Sequence, residues 1–348
     1  MAHGAKRTLV VVILLQGIAL RSGLSAQGLG FPPVGPPLPA ADIFSAEPAN
    51  WEGAATILLP VGARAVSMSR AVSAFRGPES AFWNPAGLAR ISEGRLMVLR
   101  GTPFGGDVTA FSVLLAKQPL GVIGFSYQLL DWGDQNLTDT DQNFLGTFTA
   151  RDHVGIVSFS TRVLSRLDAG VNFKVFSTRY TCRGQCPSSG ISGTTYLLDL
   201  GLMGEPIAQF PLRLAAMVAH LGPDLQIINA EQADPVPTRI RVAAAYEVLR
   251  HFTETPGIKL WLSAEAEDRA HDLGEAILYL GSEFVAGVED QVFIRTGYGQ
   301  SHTGQPAGAS VGLGLRYQQF EMDIAKSLAS ASLTGELEPV YITFGVLF

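Results

Sequence analysis

Residues 338–348 read EPVYITFGVLF, from Glu338 to Phe348. Val340, Ile342, Phe344, Val346 and Phe348 fall on one face of an extended strand, and Tyr341, Thr343, Gly345 and Leu347 on the other, because successive side chains of a strand point to opposite sides. A strand of this kind either closes a transmembrane barrel or lies at the buried edge of an ordinary sheet. These residues alone leave both readings open.

Composition shifts the balance. The chain has 348 residues, of which only 16% are charged, with 38 glycines and a positive mean hydropathy. Beyond residue 20, however, no apolar run approaches the roughly 20 residues of a membrane-crossing helix. Apolar character without long apolar runs fits alternating strands, although a soluble β-rich protein shares it. At the start, Lys6 and Arg7 precede the apolar run Thr8 to Leu20, followed by Arg21 and the small pair Ser25-Ala26. That layout predicts a secretory signal peptide over 1–26, the run being too short for a membrane anchor. Cleavage removes three basic residues and no acid, so the formal charge moves from −6 to −9. Nucleic acid is thereby excluded as a natural partner.

Residues 27–53 are rich in Pro and Gly and carry neither strand nor helix period. From Ala54 to Ile91, small and apolar residues such as Ala63, Val66, Met68, Ala71 and Phe75 recur at helical spacing, punctuated by Pro78 and Pro85; this predicts short helices and turns. Strand-length runs then follow one another to residue 348. Arg239 to Val248 is typical, with Ile240, Val242, Ala244, Tyr246 and Val248 opposing Arg239, Arg241, Ala243, Ala245 and Glu247. Fourteen such strands are predicted, at 94–100, 107–117, 120–131, 151–163, 167–178, 194–203, 210–220, 238–249, 257–267, 274–285, 290–299, 308–318, 319–328 and 338–348. Fourteen is even, as a bacterial single-chain barrel requires. Predicted links after even strands are short, whereas those after strands 3, 5 and 7 (131–150, 181–193 and 221–237) are long. Sorted loops are the habit of outer-membrane barrels, with the long loops outside and the termini periplasmic.

The two cysteines, Cys182 and Cys186, stand in TCRGQCPSSG. In an exported chain they read as a disulfide-closed loop tip. Zinc is the alternative, but two thiolates without a nearby histidine leave that site half built.

The string LLPVGARAVSMSRAVSAFRGPESAFWNPAGLARI, Leu58 to Ile91, resembles the N-terminal signature of the PorV/PorQ-type outer-membrane proteins, which are related to the FadL-type long-chain fatty-acid channels. Its specific parts are Gly62-Ala63-Arg64-Ala65 and Trp83-Asn84-Pro85-Ala86-Gly87-Leu88, and the likeness extends through GTFTARDHVGIVSFSTRV, SAEAEDRAHDLGEAILYLGSEF, FIRTGYG and SVGLGLRYQQFEMDIAKS. It departs at Ser67, Ser69 and Arg70, where the family usually has glycines around the methionine. The resemblance implies an all-β, transmembrane antiparallel barrel of about 14 strands, with an N-terminal hatch plugging the lumen. The expected divisions are thus 1–26 signal peptide, 27–93 leader and hatch, and 94–348 barrel. Two roles are implied: passage of hydrophobic small molecules such as fatty acids across the outer membrane, or service as a non-transporting accessory barrel that binds a secretion-system partner through its extracellular loops. The expected partners also include outer-membrane lipid and the barrel-assembly machinery.

Alternation places Arg213, Arg239, Arg241, Arg295, Arg316, Lys174 and Lys259 inward, with Asp199, Glu247, Glu265, Glu267, Glu283, Glu321 and Asp323. Mixed signs on adjacent strands favour cross-strand ion pairs over a selectivity ring, which would carry one sign. Phe82, Trp83, Asn84, Pro85 and Gly87 are the candidate hatch turn, with Phe82 and Trp83 as candidate ligand contacts. The histidines His153, His220, His251, His271 and His302 are scattered, no serine sits in a nucleophile elbow and no phosphate-cradling glycine loop occurs; neither an enzyme nor a cofactor nor a metal is expected. Phe344, Val346 and Phe348 form the candidate assembly signal. Removing Phe348 is therefore expected to reduce insertion into the outer membrane, read as loss of heat-modifiable electrophoretic mobility; unchanged mobility contradicts the signal.

Overall fold

The computed structural model describes residues 52–103, 106–117, 119–186, 190–227, 231, 233–253, 255–300, 308–328 and 340–348. The predicted signal peptide and most of the leader lie outside the described residues. Fourteen antiparallel strands run β1 (Arg95–Gly101), β2 (Asp107–Lys117), β3 (Gly121–Thr138), β4 (Phe144–Leu164), β5 (Leu167–Gly184), β6 (Gly190–Gly204), β7 (Leu212–Leu221), β8 (Arg239–Glu247), β9 (Lys259–Arg269), β10 (Asp272–Ala286), β11 (Gln291–Gly299), β12 (Gly308–Tyr317), β13 (Phe320–Ser327) and β14 (Val340–Leu347). Each strand pairs with its neighbours in sequence, and β14 pairs with β1 to close the ring. Closure leaves no free sheet edge, which is the condition for strands to cross a membrane.

The seam shows how the opening stretch works. Leu347 pairs with Arg95 and Tyr341 with Gly101. The Tyr341 ring lies where a Cβ on Gly101 would sit, 2.3 Å from its Cδ1. Phe348 donates its backbone N–H to the Gly94 carbonyl at 2.9 Å, and its ring covers the face of Gly94. Tyr341 and Thr343 point inward and are buried, whereas Val340, Ile342, Phe344 and Phe348 are exposed on the outside.

That outward row continues around the barrel through Val98, Phe111, Phe125, Phe159, Leu200, Leu262, Leu280, Ile294 and Leu313, all exposed. A continuous outer belt of this kind belongs in lipid, since water would penalise so large an apolar surface. Aromatic side chains edge it, such as Phe210 against Tyr246 at 5.0 Å between ring centroids. The wall is that of an outer-membrane β-barrel. Among the described residues no helix is long and apolar enough to cross a membrane.

Two predicted loops are absent as loops. Residues 131–150 and 181–193 were expected to be long links, but β3 and β4 continue pairing out to Thr138 and Phe144, and β5 with β6 out to Thr181 and Gly190. Both segments carry threonine among their polar residues, and their described parts pair and extend the wall instead of leaving it. The β9–β10 connection, by contrast, is a tight turn at 270–271. Strand ends therefore differ in height: β3 to β6 project past the others on the rim opposite Gly94 and Phe348. We call the Gly94 end the near rim and the projecting end the far rim.

Residues 54–91 lie inside the ring. They form 3-10 turns at Ala55–Leu58, Pro78–Ala81 and Pro85–Leu88 and one short helix, α1 (Ala63–Ser67). The helical spacing beyond Met68 does not extend α1, because Ser69 and Arg70 adopt left-handed backbone, with φ of 46° and 76°. This is an unfavourable conformation for residues other than glycine. Two wall glycines admit the segment's backbone. A Cβ on Gly297 of β11 would lie 2.2 Å from the Met68 carbonyl carbon, and one on Gly170 of β5 would lie 2.4 Å from that of Pro85. Neither contact can relax by rotating a side chain. Gly297→Val is thus expected to cost about 1–3 kcal/mol of docking by overpacking, measured as faster trypsin cleavage after Arg64, Arg70 or Arg76 in the folded barrel.

Candidate functional site

The interior segment is held by its arginines. Arg64 donates from Nε and Nη2 to Glu283 of β10 at 2.8 and 2.7 Å, and Arg295 of β11 bridges Glu283 to Asp323 of β13. Arg70 reaches Glu267 of β9 at 3.4 Å, where Arg241 of β8 is also bound at 2.5 Å. Arg76 contacts Asp168 and Glu205, and Arg90 contacts Asp168 at 2.7 Å. Glu265 accepts from the Ser73 hydroxyl and backbone N–H at 2.7 and 2.9 Å. Arg239 is paired with Glu52. The wall charges are thus joined to the segment as much as to one another. Burial of ions in this way is tolerable because partners and hydrogen bonds accompany each charge.

At the near rim, Arg213 contacts Glu205 at 3.2 Å and lies 4.1 Å above the Trp261 ring, while Arg316 and Arg95 share Glu321 at 2.9 and 3.4 Å. Burial raises the Glu205 carboxyl, but its hydrogen bond and charge contact with Arg76, followed by the Arg213 charge, outweigh this and hold it below the usual carboxylate range. Lys259 and Glu247 stand at the ends of their strands and are exposed and half-buried respectively.

The sequence TrpAsnProAlaGly forms a capped turn. Asn84 accepts from the Ala86 N–H at 3.1 Å and donates to the Ser73 and Leu202 carbonyls at 2.9 and 3.2 Å. Pro85 opens the 3-10 turn that contains Gly87, a position where its missing N–H is no loss. Trp83 donates from Nε1 to the Val61 carbonyl at 2.7 Å and lies under the Arg241 guanidinium, 5.0 Å from the ring centroid. Phe82 is only partly buried and packs against all four apolar clusters of the interior.

Beside Phe82 and Trp83 is a void of about 20 Å³ lined by Ile57, Leu58, Leu59, Val61, Val154 and Ile156, with Lys174, His220 and Arg241 as its cationic or titratable side. Lys174 and His220 are held by a carboxylate on the strand between theirs. Asp199 of β6 binds Lys174 of β5 at 2.6 Å and accepts from the His220 backbone N–H at 2.9 Å. Asn172 donates to Asp199 and also to the Ala81 carbonyl of the interior segment, at 2.8 and 3.0 Å.

His220 was not among the sequence-derived site residues. Alternation from Arg213 through Ala219 would face it to lipid. In β7, however, Leu221 pairs with Leu198 and Val218 with Leu200, so Ala219 and His220 together oppose Asp199. This β-bulge, with His220 at φ 61°, reverses the parity and buries the imidazole inside. Nothing in the local composition signals a bulge. Asp168 was also missed, yet parity with Gly170, Asn172 and Lys174 places it inward. Cys182 and Cys186 are joined by a disulfide at the far-rim end of β5.

No protein-family model matches the chain, and no curated protein matches it. Solved structures do. The toluene transporter TbuX of Ralstonia pickettii aligns with a TM-score of 0.51 and 13% identity over 83% of this chain and 98% of that one. The P. putida toluene transporter TodX aligns at 0.53 and 12%, over 83% and 98%. The barrel has their fold. At this identity the likeness concerns architecture, and membership of the PorV/PorQ group is not shown by it.

Asp199→Ala removes the acceptor from Lys174, Asn172 and the bulged N–H together. Breaking a buried pair in this way costs about 3–5 kcal/mol. The expected outcome is a lower midpoint for heat-induced mobility change in detergent, with Asp199→Asn intermediate because it keeps one acceptor.

Proposed function

We propose that this chain passes hydrophobic small molecules across the outer membrane, as a FadL-like barrel of the PorV/PorQ kind. The observation that carries the reading is Phe82: one half-buried ring touches all four interior apolar clusters and borders the void beside Lys174 and His220. One of those clusters joins Val154, Ile156, Phe176, Leu197 and Leu225, with Ile57 and Ile227 packed against it, so a continuous band of packed apolar side chains runs from the β7–β8 link to the void. The fold shared with two toluene transporters supports the same reading.

In this reading residues 54–91 are the hatch, the far rim is extracellular, and both Gly94 and Phe348 face the periplasm. Phe344, Val346 and Phe348 present the row that the barrel-assembly machinery reads. Lys174 and Arg241 at the void suit an acidic or polar end on the cargo, and a fatty acid is one molecule of that description. No chemistry is assigned to the chain.

A second reading has its own observation. The far-rim hairpins carry Phe144 and Ile191 exposed at 63% and 43%, with Phe148 stacked on Tyr180 at 5.7 Å. Such a surface also suits a protein partner, as an accessory barrel of a type IX-like secretion system requires.

The test is passage of toluene and of decanoate into proteoliposomes holding the purified barrel. Transport is expected above protein-free vesicles, altered several-fold by Phe82→Ala while heat-modifiable mobility stays intact. No passage of either probe, with a large secretion subunit recovered through the far-rim hairpins, favours the scaffold.

A further inference from the structure

A larger cavity, of about 250 Å³, lies at the near rim, away from the void beside Phe82. Five arginines line it, Arg64, Arg76, Arg90, Arg95 and Arg316, against three acids, Glu79, Glu321 and Asp323. The donors are unevenly used. Arg64 spends Nε and Nη2 on Glu283 and Nη1 on the Arg76 carbonyl, and Arg90 turns its Nε to Asp168. Arg76, Arg95 and Arg316 engage only terminal nitrogens, on Glu205 and Asp168, on Glu321, and on Gln291 and Glu321 respectively. The Nε of each of these three is buried and meets no acceptor among the described residues.

A buried donor without an acceptor costs about 1–3 kcal/mol, more when charged. An oxyanion would offer such donors charged acceptors, which strengthen each hydrogen bond beyond what water provides. Guanidinium groups match the planar or tetrahedral oxygens of carboxylate and phosphate. The remaining lining includes Ile91, Met97 and Val346, which provide an apolar wall for a short carbon chain.

We propose that the near-rim cavity is an oxyanion-binding site, in which Arg76, Arg95 and Arg316 hold a carboxylate or phosphate group. The inference stands on this cavity alone and does not depend on the transport reading. Inorganic phosphate and hexanoate are titrated separately by calorimetry into the detergent-solubilised barrel in a buffer free of other oxyanions. Saturable binding of at least one probe is expected, weakened about tenfold or more, equivalent to about 1.4 kcal/mol, in Arg95→Gln and in Arg316→Gln. Arg100→Gln, whose side chain is exposed in a pair with Asp107, serves as the charge control and should bind as the parent does.

Phosphate bound in preference to hexanoate supports a free inorganic anion as the source. Hexanoate bound in preference supports the head of an amphiphile. Heat-modifiable mobility reports whether each variant is folded, and either arginine variant suffices if the other does not assemble. If neither arginine variant assembles, Arg95→Lys and Arg316→Lys, which keep the charge but lose the guanidinium fork, take their place and are expected to bind more weakly than the parent. No binding by the folded parent overturns the proposal, as does binding as tight as the parent's in both arginine variants or an equal loss in Arg100→Gln.

Discussion

A closed wall in lipid has one face that solvent never relieves. Its outer residues can be apolar throughout, but the inner residues of a fourteen-stranded ring enclose a space too wide for the wall's own side chains to fill. This protein fills it with residues 54–91, and most of the interior chemistry follows from that choice. Wall acids at Glu267 and Glu283 each bind one arginine from the wall and one from the segment. Arg241 and Arg295 alone would neutralise them pairwise, whereas the additional Arg64 and Arg70 make the wall's acids into docking points. Each acid is shared between wall and segment, so these contacts tie the position of the segment to the integrity of the wall.

Backbone contact supplies what charge cannot. An ion pair between long side chains tolerates shifts of an ångström, but the approach of Met68 to Gly297 and of Pro85 to Gly170 does not. The two glycines thus set the depth of the segment, and the arginines set its orientation. Around Asp199 the same division recurs on a smaller scale, where the bulge at Ala219 and His220 places a backbone N–H and Lys174 places a charge on one carboxylate.

The wall was legible because its determinant is local: period-two alternation needs only a strand's own residues, and Val340 to Phe348 display it as well as any. Tyr341 and Thr343 faced inward by the same count that turned Phe344 outward. Strand ends were harder, since residues 131–138, 144–150, 181–184 and 190–193 are polar enough for loops and become strands only because each finds a partner of matching length. Parity failed at His220 for a related reason: one extra residue in β7 is invisible unless β6 is aligned beside it. Within the lumen, the wall charges could be named from alternation, but their partners on Arg64, Arg70, Arg76 and Arg90 could not, because the interior segment has no repeating geometry that fixes which wall residue each side chain reaches.

The positions of the docking glycines bear on how such a molecule is put together. Gly170 stands on β5 and Gly297 on β11, on distant arcs of the ring, and the segment that touches both is joined to β1 only a few residues after Ile91. The two glycines reach the segment together only when the sheet from β5 to β11 has its full curvature. Docking of the segment and curvature of the wall between those strands are consequently linked, so whatever flattens that arc also loosens the segment.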